Sequence, residues 1–177
     1  MYGNNRGGNG INMSDNYHRP IAATLGFILS PDGESVLMVH RISRSDDENL
    51  GKWNGLGGKI ERNEDVAAGM IREIREEAGI EVTEMKLRGT VAWTNFGPQK
   101  RDWLAFVFLI TKFTGEPKSG NEEGPLAWVK LGDISGLPMW DGDRLFVPMV
   151  FDEDERPFHG YMPYDGDKPA GWTFTRI

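Results

Sequence analysis

Length, composition and charge exclude several classes of protein at the outset. The chain has 177 residues, with 27 acidic and 20 basic side chains and no cysteine, so its formal net charge is −7 at pH 7. This acidic balance argues against nucleic-acid binding by phosphate neutralisation, and the lack of cysteine excludes disulfides and thiol chemistry. No apolar run approaches the ~18 residues of a membrane span and no secretory signal is visible, which predicts a cytoplasmic protein without membrane contact.

The first elements follow from runs of apolar and polar residues. Residues 1–16 are rich in Gly and Asn and predict a disordered arm, which leaves residues 17–177 for a single domain. Apolar runs bounded by turn-forming residues predict strands at Ile21–Leu29 and at residues 36–40. The polar residues 43–49 predict a mobile loop, and a glycine-rich connector follows at residues 52–58.

Residues 64–78 predict an amphipathic helix. Apolar residues recur there at spacings of three and four, at Ala67, Ala68, Ile71, Ile74 and Ala78. Gly79 stands where a helix commonly ends, because glycine readily adopts the left-handed cap. Since helical residues advance by ~100° each, Glu73, Glu76 and Glu77 fall within an arc of about 100° on one face.

The remaining elements complete a mixed α and β pattern. They comprise strands at residues 86–93 and 103–112 separated by a turn at 95–100, a strand at 126–131, a connector at 132–137, a short helix at 141–150, and strand-like pieces at 158–161 and 172–177. One long helix and one short helix among these strands predict an α+β fold. We expect an α/β/α sandwich in which helices flank a mixed sheet.

The acidic face of the long helix predicts a divalent-cation site. Three carboxylates on one face repel each other, and a solvated face neutralised by Arg72 and Arg75 is the alternative interpretation. The double glycine just before the helix favours the cation site, because backbone carbonyls can approach closely there. Mg²⁺, or Mn²⁺ in its place, prefers such oxygen ligands.

The spacing from Gly58 to Ile80 carries a family resemblance. Five residues separate Gly58 from Glu64, and seven residues separate Glu64 from the run 72–80 (REIREEAGI). This spacing matches the Nudix box at every fixed position. The chain therefore resembles the Nudix hydrolases, which cleave nucleoside diphosphates linked to another group. The resemblance implies that the Gly58 carbonyl and the carboxylates of Glu73, Glu76 and Glu77 bind the metal. It also implies that Arg72 pairs with Glu64 and that one of the glutamates acts as the base, with the assignment open and Glu73 and Glu76 as the leading candidates.

Flanking segments resemble one Nudix branch, the oxidised-purine nucleoside triphosphatases. The matching stretches are KWNGLGGK at residues 52–59, PMW at 138–140 and FHGY at 158–161. The resemblance implies that Asn54 and Asp143 read the base edge, that Trp140 stacks on the base and that Glu123 joins the metal or water shell. It also places further substrate-binding residues in the pocket, namely Thr24, Arg41, Lys59 and Trp93.

The chain departs from this branch at three positions. Gly142 replaces the first of two adjacent acidic residues after the tryptophan, Trp93 stands where phenylalanine is usual, and Arg41 where lysine is usual. Because base selectivity depends on a full set of polar partners, these departures bear on the choice of base more than on the reaction.

The sequence leaves several alternatives open. The expected activity is hydrolysis of a purine nucleoside triphosphate, such as 8-oxo-dGTP or 2-oxo-dATP, to the monophosphate and pyrophosphate by a monomer or dimer. Other substrates of the same chemistry are ADP-ribose, dinucleoside polyphosphates and a capped RNA end. Pro98, 18 residues past Ile80 (98 − 80), keeps ADP-ribose open. A non-catalytic nucleotide sensor is the alternative from another class.

Overall fold

The fold is a mixed nine-stranded sheet with one helix on each face. The computed structural model describes residues 18–43 and 50–177, so the predicted arm and nearly all of the predicted loop at 43–49 lie outside the described residues. The strands are β1 (Ile21–Leu29), β2 (Ser35–His40), β3 (Trp53–Asn54), β4 (Glu81–Phe96), β5 (Arg101–Thr114), β6 (Leu126–Lys130), β7 (Phe158–Asp165), β8 (Lys168–Pro169) and β9 (Thr173–Arg176). The helices are α1 (Val66–Ala78) and α2 (Asp143–Phe151), with a 3₁₀ turn at Leu131–Gly136.

Two parallel pairings bring distant parts of the chain together. The strand order is β3-β2-β1-β5-β4-β7-β8, with β6 added beside β2 and β9 beside β7. The pairs β1–β5 and β4–β7 are parallel, while β1–β2 and β4–β5 are antiparallel. These pairings place the start of β1, the far end of β4 and the last third of the chain around one opening.

Side chains that alternate between the two faces of the sheet produce two hydrophobic cores. Phe27 and Met38 face α2 and pack with Phe146, whereas their neighbours Ile28 and Leu37 face α1 and pack with the α1 residue Ile74. Successive residues of a strand point to opposite faces, so one sheet can support a helix on each side. The predicted α/β/α sandwich is confirmed.

Several predicted boundaries need correction. Helix α1 begins at Val66 rather than at residue 64, because Asp65 is its N-cap and accepts the amide protons of Ala67 and Ala68 at 2.9 Å each. Strand β4 is 16 residues long because register shifts let it continue past each irregularity. The connector at 132–137 forms the 3₁₀ turn, and α2 begins at Asp143 rather than at residue 141.

A buried arginine ties α2 to the sheet. Arg88 on β4 is 4% exposed and donates hydrogen bonds to the carbonyls of Val150, Met149, Asp152 and Asp154 at 2.9–3.2 Å. It also pairs with the Asp152 carboxylate at 3.0 Å. These carbonyls lie at the end of α2 and just beyond it, where helix carbonyls lack partners within the helix. Neither helix in residues 18–43 and 50–177 is long and apolar enough to cross a membrane.

Candidate active site

A cavity of about 760 Å³ opens between the start of β1, the loop before α1 and the segment before α2. Residues predicted to bind the metal and residues predicted to bind the substrate both line it. They are Thr24, Arg41, Asn54, Gly58, Lys59, Glu73, Trp93, Glu123, Trp140 and Asp143. Four other predicted residues, Glu64, Arg72, Glu76 and Glu77, belong to α1 or the turn before it and lie beside the cavity rather than on its wall. The structure therefore gathers every predicted residue at one end of the sheet.

The glycine-rich loop is bonded directly to β1. Gly26 and Leu56 exchange backbone hydrogen bonds at 2.6 and 2.9 Å, and the Thr24 amide donates to the Gly58 carbonyl at 2.8 Å. Gly57 has φ = 146°, and a Cβ there would overlap the Thr24 carbonyl. Only glycine can bring the backbone this close to β1. The Gly58 carbonyl is thus fixed at the cavity wall, and its service as a metal ligand stays a prediction.

Arg72 joins the loop to the helix as the resemblance implied. Its Nε and Nη2 donate to the two Glu64 carboxylate oxygens at 3.0 and 2.8 Å, and Nη2 also reaches the Lys59 carbonyl at 3.2 Å. The hydrogen bonds from Arg72 lower the pKa of Glu64 to about 2. Glu64 lies before the helix cap, so the pair forms because the turn folds back and not because both residues share a helical face.

The same guanidinium holds two of the predicted metal ligands. Arg72 Nη1 donates to Glu73 Oε1 at 2.9 Å and to Glu76 Oε2 at 3.1 Å. The Glu73 side chain is 13% exposed and that of Glu76 is 59% exposed. Burial raises the pKa of Glu73 above its ordinary value although Arg72 opposes the shift.

Glu77 is the most perturbed carboxyl group of the helix. It accepts the Gly57 amide proton at 3.0 Å. Burial, reinforced by the nearby charge of Glu123, raises the pKa of Glu77 to about 8. Glu123 in turn forms an ion pair with Arg41 across the cavity wall. A buried carboxyl group among other carboxylates is stabilised as an anion when a cation lies nearby.

The chemistry of these residues fits a divalent cation. Within the described ranges, no three acidic or histidine side chains are close enough together to share one ion. Arg72 pairs with Glu73 and Glu76, and Arg41 pairs with Glu123. The oxygen-rich donor set and the raised pKa of Glu77 suit Mg²⁺ or Mn²⁺. Simultaneous coordination by these carboxylates requires side-chain rotation and stays a prediction.

The other half of the cavity has aromatic walls. Trp140 packs edge-on against Phe96 with ring centroids 5.3 Å apart, and Phe96 lies 6.4 Å from Trp93. The Lys52 ammonium lies 4.3 Å from the Trp140 ring centroid. The Asn54 side-chain oxygen is buried and has no hydrogen-bond partner in the part of the chain that the structure describes. Flat walls with a few polar atoms are typical of sites that bind an aromatic heterocycle.

The lining residues that sequence reasoning missed include Glu61, Phe96, Trp103 and Tyr164. Phe96 was hidden because it falls in the predicted turn at 95–100, whereas β4 in fact extends to it. Trp103 was read only as the start of a strand, and Lys59 lies 5.8 Å from its ring centroid. Tyr164 lies beyond the strand predicted at 158–161, and nothing in the local pattern indicates its position.

Comparison with known proteins identifies the family. The NUDIX domain family model matches residues 19–150, which is most of the chain. The chain belongs to the Nudix family. Over 116 residues it is 38% identical to the uncharacterized Nudix hydrolase YvcI of Bacillus subtilis, covering 64% of this chain and 73% of that protein.

Two further comparisons extend this Nudix match. The oxidized purine nucleoside triphosphate hydrolase of Danio rerio is 29% identical over 116 residues, covering 66% of this chain and 72% of that protein. The crystal structure of the mutator MutT protein of Bacillus halodurans superposes with a TM-score of 0.75 at 27% identity. The superposition covers 87% of this chain and 97% of that one. The Nudix fold and hydrolase class predicted from the sequence are confirmed.

Asp143 makes the stability of this Nudix domain depend on pH. Burial raises the pKa of Asp143 to about 7, against the weaker opposing charges of Arg144 and Lys52. The folded state keeps this proton at pH values where the unfolded chain has released it. Ionisation of Asp143 therefore costs stability progressively as the pH rises from about 4 to 7.

We compare the unfolding free energy of Asp143→Asn with that of the wild type. The difference in favour of Asp143→Asn should be about 2 kcal/mol larger at pH 8 than at pH 5. Urea unfolding at the two pH values measures this gain. Asp141→Asn, an exposed neighbour, is the matched control and should show no such change. An equal difference between wild type and Asp143→Asn at both pH values would contradict the assignment.

Proposed function

We propose that residues 17–177 form one hydrolase domain that converts purine nucleoside triphosphates, including oxidised ones such as 8-oxo-dGTP or 2-oxo-dATP, to the monophosphate and pyrophosphate. The observation that carries this proposal is the composition of the single cavity described above. Its aromatic half contains Trp140 and Trp93, and its acidic half contains Glu73 and the Gly58 backbone. A base and a polyphosphate therefore fit one opening, and about 760 Å³ is ample for a nucleotide.

Named relatives support the same substrate class. Besides the Danio rerio protein, an oxidized purine nucleoside triphosphate hydrolase of Mus musculus is 28% identical over 129 residues. It aligns with 72% of this chain and 80% of its own length. The Bacillus subtilis relative at 38% identity is an uncharacterized Nudix hydrolase and therefore indicates no substrate. The proposal of a purine base therefore depends mainly on the residues of the cavity.

The acidic half of the cavity suits phosphoryl transfer. A bound Mg²⁺ or Mn²⁺ would neutralise phosphate charge, polarise the phosphoryl oxygens and lower the pKa of bound water. Glu73, Glu76, Glu77 and Glu123 with the Gly58 carbonyl are the groups that would hold it. Water forms a bond to phosphorus as the bond to the bridging oxygen breaks on the opposite side, and Glu73 or Glu76 accepts the water proton.

Arg72 has a positioning role in this scheme. Its bidentate pair with Glu64 and its bond to the Lys59 carbonyl fix the loop against α1. This contact keeps the Gly58 carbonyl and the Glu73 carboxylate on the same side of the cavity. Catalysis of this kind depends mainly on such positioning and on electrostatic stabilisation.

The aromatic half suits a purine. Trp140 and Trp93 provide flat surfaces, and Asn54 and Asp143 provide hydrogen-bonding groups for the base edge. We assign Thr24 to the pocket wall, and Arg41 and Lys59 to the sugar and phosphates near the acidic half.

A hydrolysis panel with product identification tests the proposal. It compares 8-oxo-dGTP, 2-oxo-dATP, the ordinary purine and pyrimidine triphosphates, ADP-ribose and a dinucleoside polyphosphate, each with and without Mg²⁺. We expect cation-dependent release of pyrophosphate and the highest kcat/KM for a purine triphosphate. A preference for ADP-ribose or the dinucleotide would retain the box chemistry and remove the base-reading roles. Nucleotide binding without hydrolysis would indicate a sensor.

A further inference from the structure

The Tyr164 side chain packs directly against Gly142 beside the aromatic half of the cavity. Gly142 immediately precedes α2, and Tyr164 is a buried residue near the end of β7. A Cβ at position 142 would overlap the Tyr164 hydroxyl oxygen and lie 2.5 Å from the Met162 sulfur. The tyrosine can therefore occupy its place only because residue 142 has no side chain.

The Tyr164 hydroxyl has no hydrogen-bond partner among the residues that the structure describes. In residues 18–43 and 50–177 no hydrogen bond is made by this hydroxyl, and the residue lines the cavity. Its ring is fixed edge-on against Phe96, with centroids 4.8 Å apart. Because the residue lines the cavity and no protein group takes up its hydrogen-bonding capacity, the hydroxyl is available to bond with whatever fills the cavity.

We propose that the Tyr164 hydroxyl hydrogen-bonds the base of the bound nucleotide and sets selectivity among purines, in the space that Gly142 leaves free. This inference rests on the function proposed above, since it requires a base in the aromatic half of the cavity. Tyr164, Asn54 and Asp143 are then three polar residues that line the same cavity as Trp140 and Trp93.

The Tyr164 hydroxyl keeps its proton over a wide pH range. Burial, together with the charges of Asp143 and Asp141, raises the pKa of Tyr164 well above its ordinary value. It therefore remains a hydrogen-bond donor throughout the pH range of enzymes. An oxo group or ring nitrogen of a purine accepts such a bond, whereas an amino group at the same place must use the weaker acceptor side of the phenol.

Tyr164→Phe tests this role, because it removes only the oxygen. We expect about tenfold weaker binding of the preferred purine nucleoside monophosphate and a smaller ratio of kcat/KM between the best and second-best purine triphosphates. The loss should fall in KM rather than in kcat, and hydrolysis of inorganic triphosphate or a base-free ribose triphosphate should not change. Monophosphate binding is measured by calorimetry without added cation.

Tyr161→Phe is the matched control. Tyr161 lies on the same strand but is 48% exposed, and its hydroxyl is 3.3 Å from that of Thr94. This variant should keep wild-type affinity and selectivity. Wild-type selectivity in Tyr164→Phe, or an equal loss on base-free substrates, would overturn the inference while the proposed function stands. A wild type that neither binds nor hydrolyses any purine nucleotide would overturn both.

A second pair of variants tests the fit between the two residues. Gly142→Ala forces the Tyr164 hydroxyl out of its place, so it should reduce purine selectivity as Tyr164→Phe does. In the background of Tyr164→Phe the same alanine still meets the Met162 sulfur and can cost stability, but it should cause little further loss of selectivity, because the displaced hydroxyl is already absent. Additive losses would contradict the proposed coupling.

Discussion

Replacing Glu76 by glutamine should reduce cation-dependent hydrolysis at least about a thousandfold while leaving the fold intact. The carboxylate is a predicted metal ligand and candidate base, and the amide can neither bind Mg²⁺ as an anion nor accept the water proton. The loss of such a group in a preorganised site costs about 4 kcal/mol of transition-state stabilisation. The Glu76 side chain is 59% exposed and its contact with Arg72 is partly solvated, so unfolding should change by less than about 0.5 kcal/mol.

Glu81→Gln is the control for this variant. Glu81 has a side chain 56% exposed and pairs with an arginine of α1, Arg75, at 2.7 Å, but it does not share the Arg72 guanidinium that holds Glu73 and Glu76. Both variants lose one exposed carboxylate and one ion pair with α1, so only the position of the lost group differs. Steady-state hydrolysis and thermal unfolding of both proteins make the comparison. Near-normal turnover in Glu76→Gln would refute the metal-site assignment.

Gly58→Ala should reduce kcat by about a hundredfold through displacement of Glu73. A Cβ built on Gly58 lies 2.5 Å from Glu73 Oε1 and 2.8 Å from its Cδ. Because Arg72 donates a hydrogen bond to the same Oε1 at 2.9 Å, displacement of the carboxylate strains or breaks that contact. A shift of about 1 Å in a reacting or ligating group is enough for a hundredfold loss.

Gly132→Ala provides the matched glycine control. A Cβ there meets nothing within 4 Å, and its backbone is not in the left-handed region, so activity and stability should stay at wild-type values. A crystal structure of Gly58→Ala should show the Glu73 carboxylate displaced from the loop. Wild-type kcat in Gly58→Ala would mean that the position of Glu73 does not limit the reaction.

The helix and its chemistry could be predicted from the sequence because their signals are local. The apolar spacing predicted α1 to within two residues, and Gly79 adopts φ = 73° as the expected left-handed cap. The pairing of Arg72 with Glu64 was expected from the family resemblance and not from a local signal, and the turn that produces it lies outside the helix. The helix and its cap depend on neighbours within a few turns of the chain, which the order of residues displays directly.

The cavity could be predicted only through family resemblance. Thr24, Trp93 and Tyr164 come together because β1 pairs parallel with β5 and β4 pairs parallel with β7, and these contacts join residues far apart in the chain. Strand β4 reaches Phe96 only because of its register shifts, which period-two alternation does not predict. The match of Gly142 to Tyr164 is likewise a contact between two elements that no local pattern reveals.

Arg88 orders one wall of the cavity in the absence of a ligand. By holding the carbonyls at the end of α2 to β4, it makes the helix that carries Asp143 and the strand that carries Trp93 a single cooperative unit. Opening one of them requires breaking the buried bonds of the other. The cavity wall that carries Asp143 and Trp93 is therefore ordered before a ligand binds, so binding there should cost little conformational entropy.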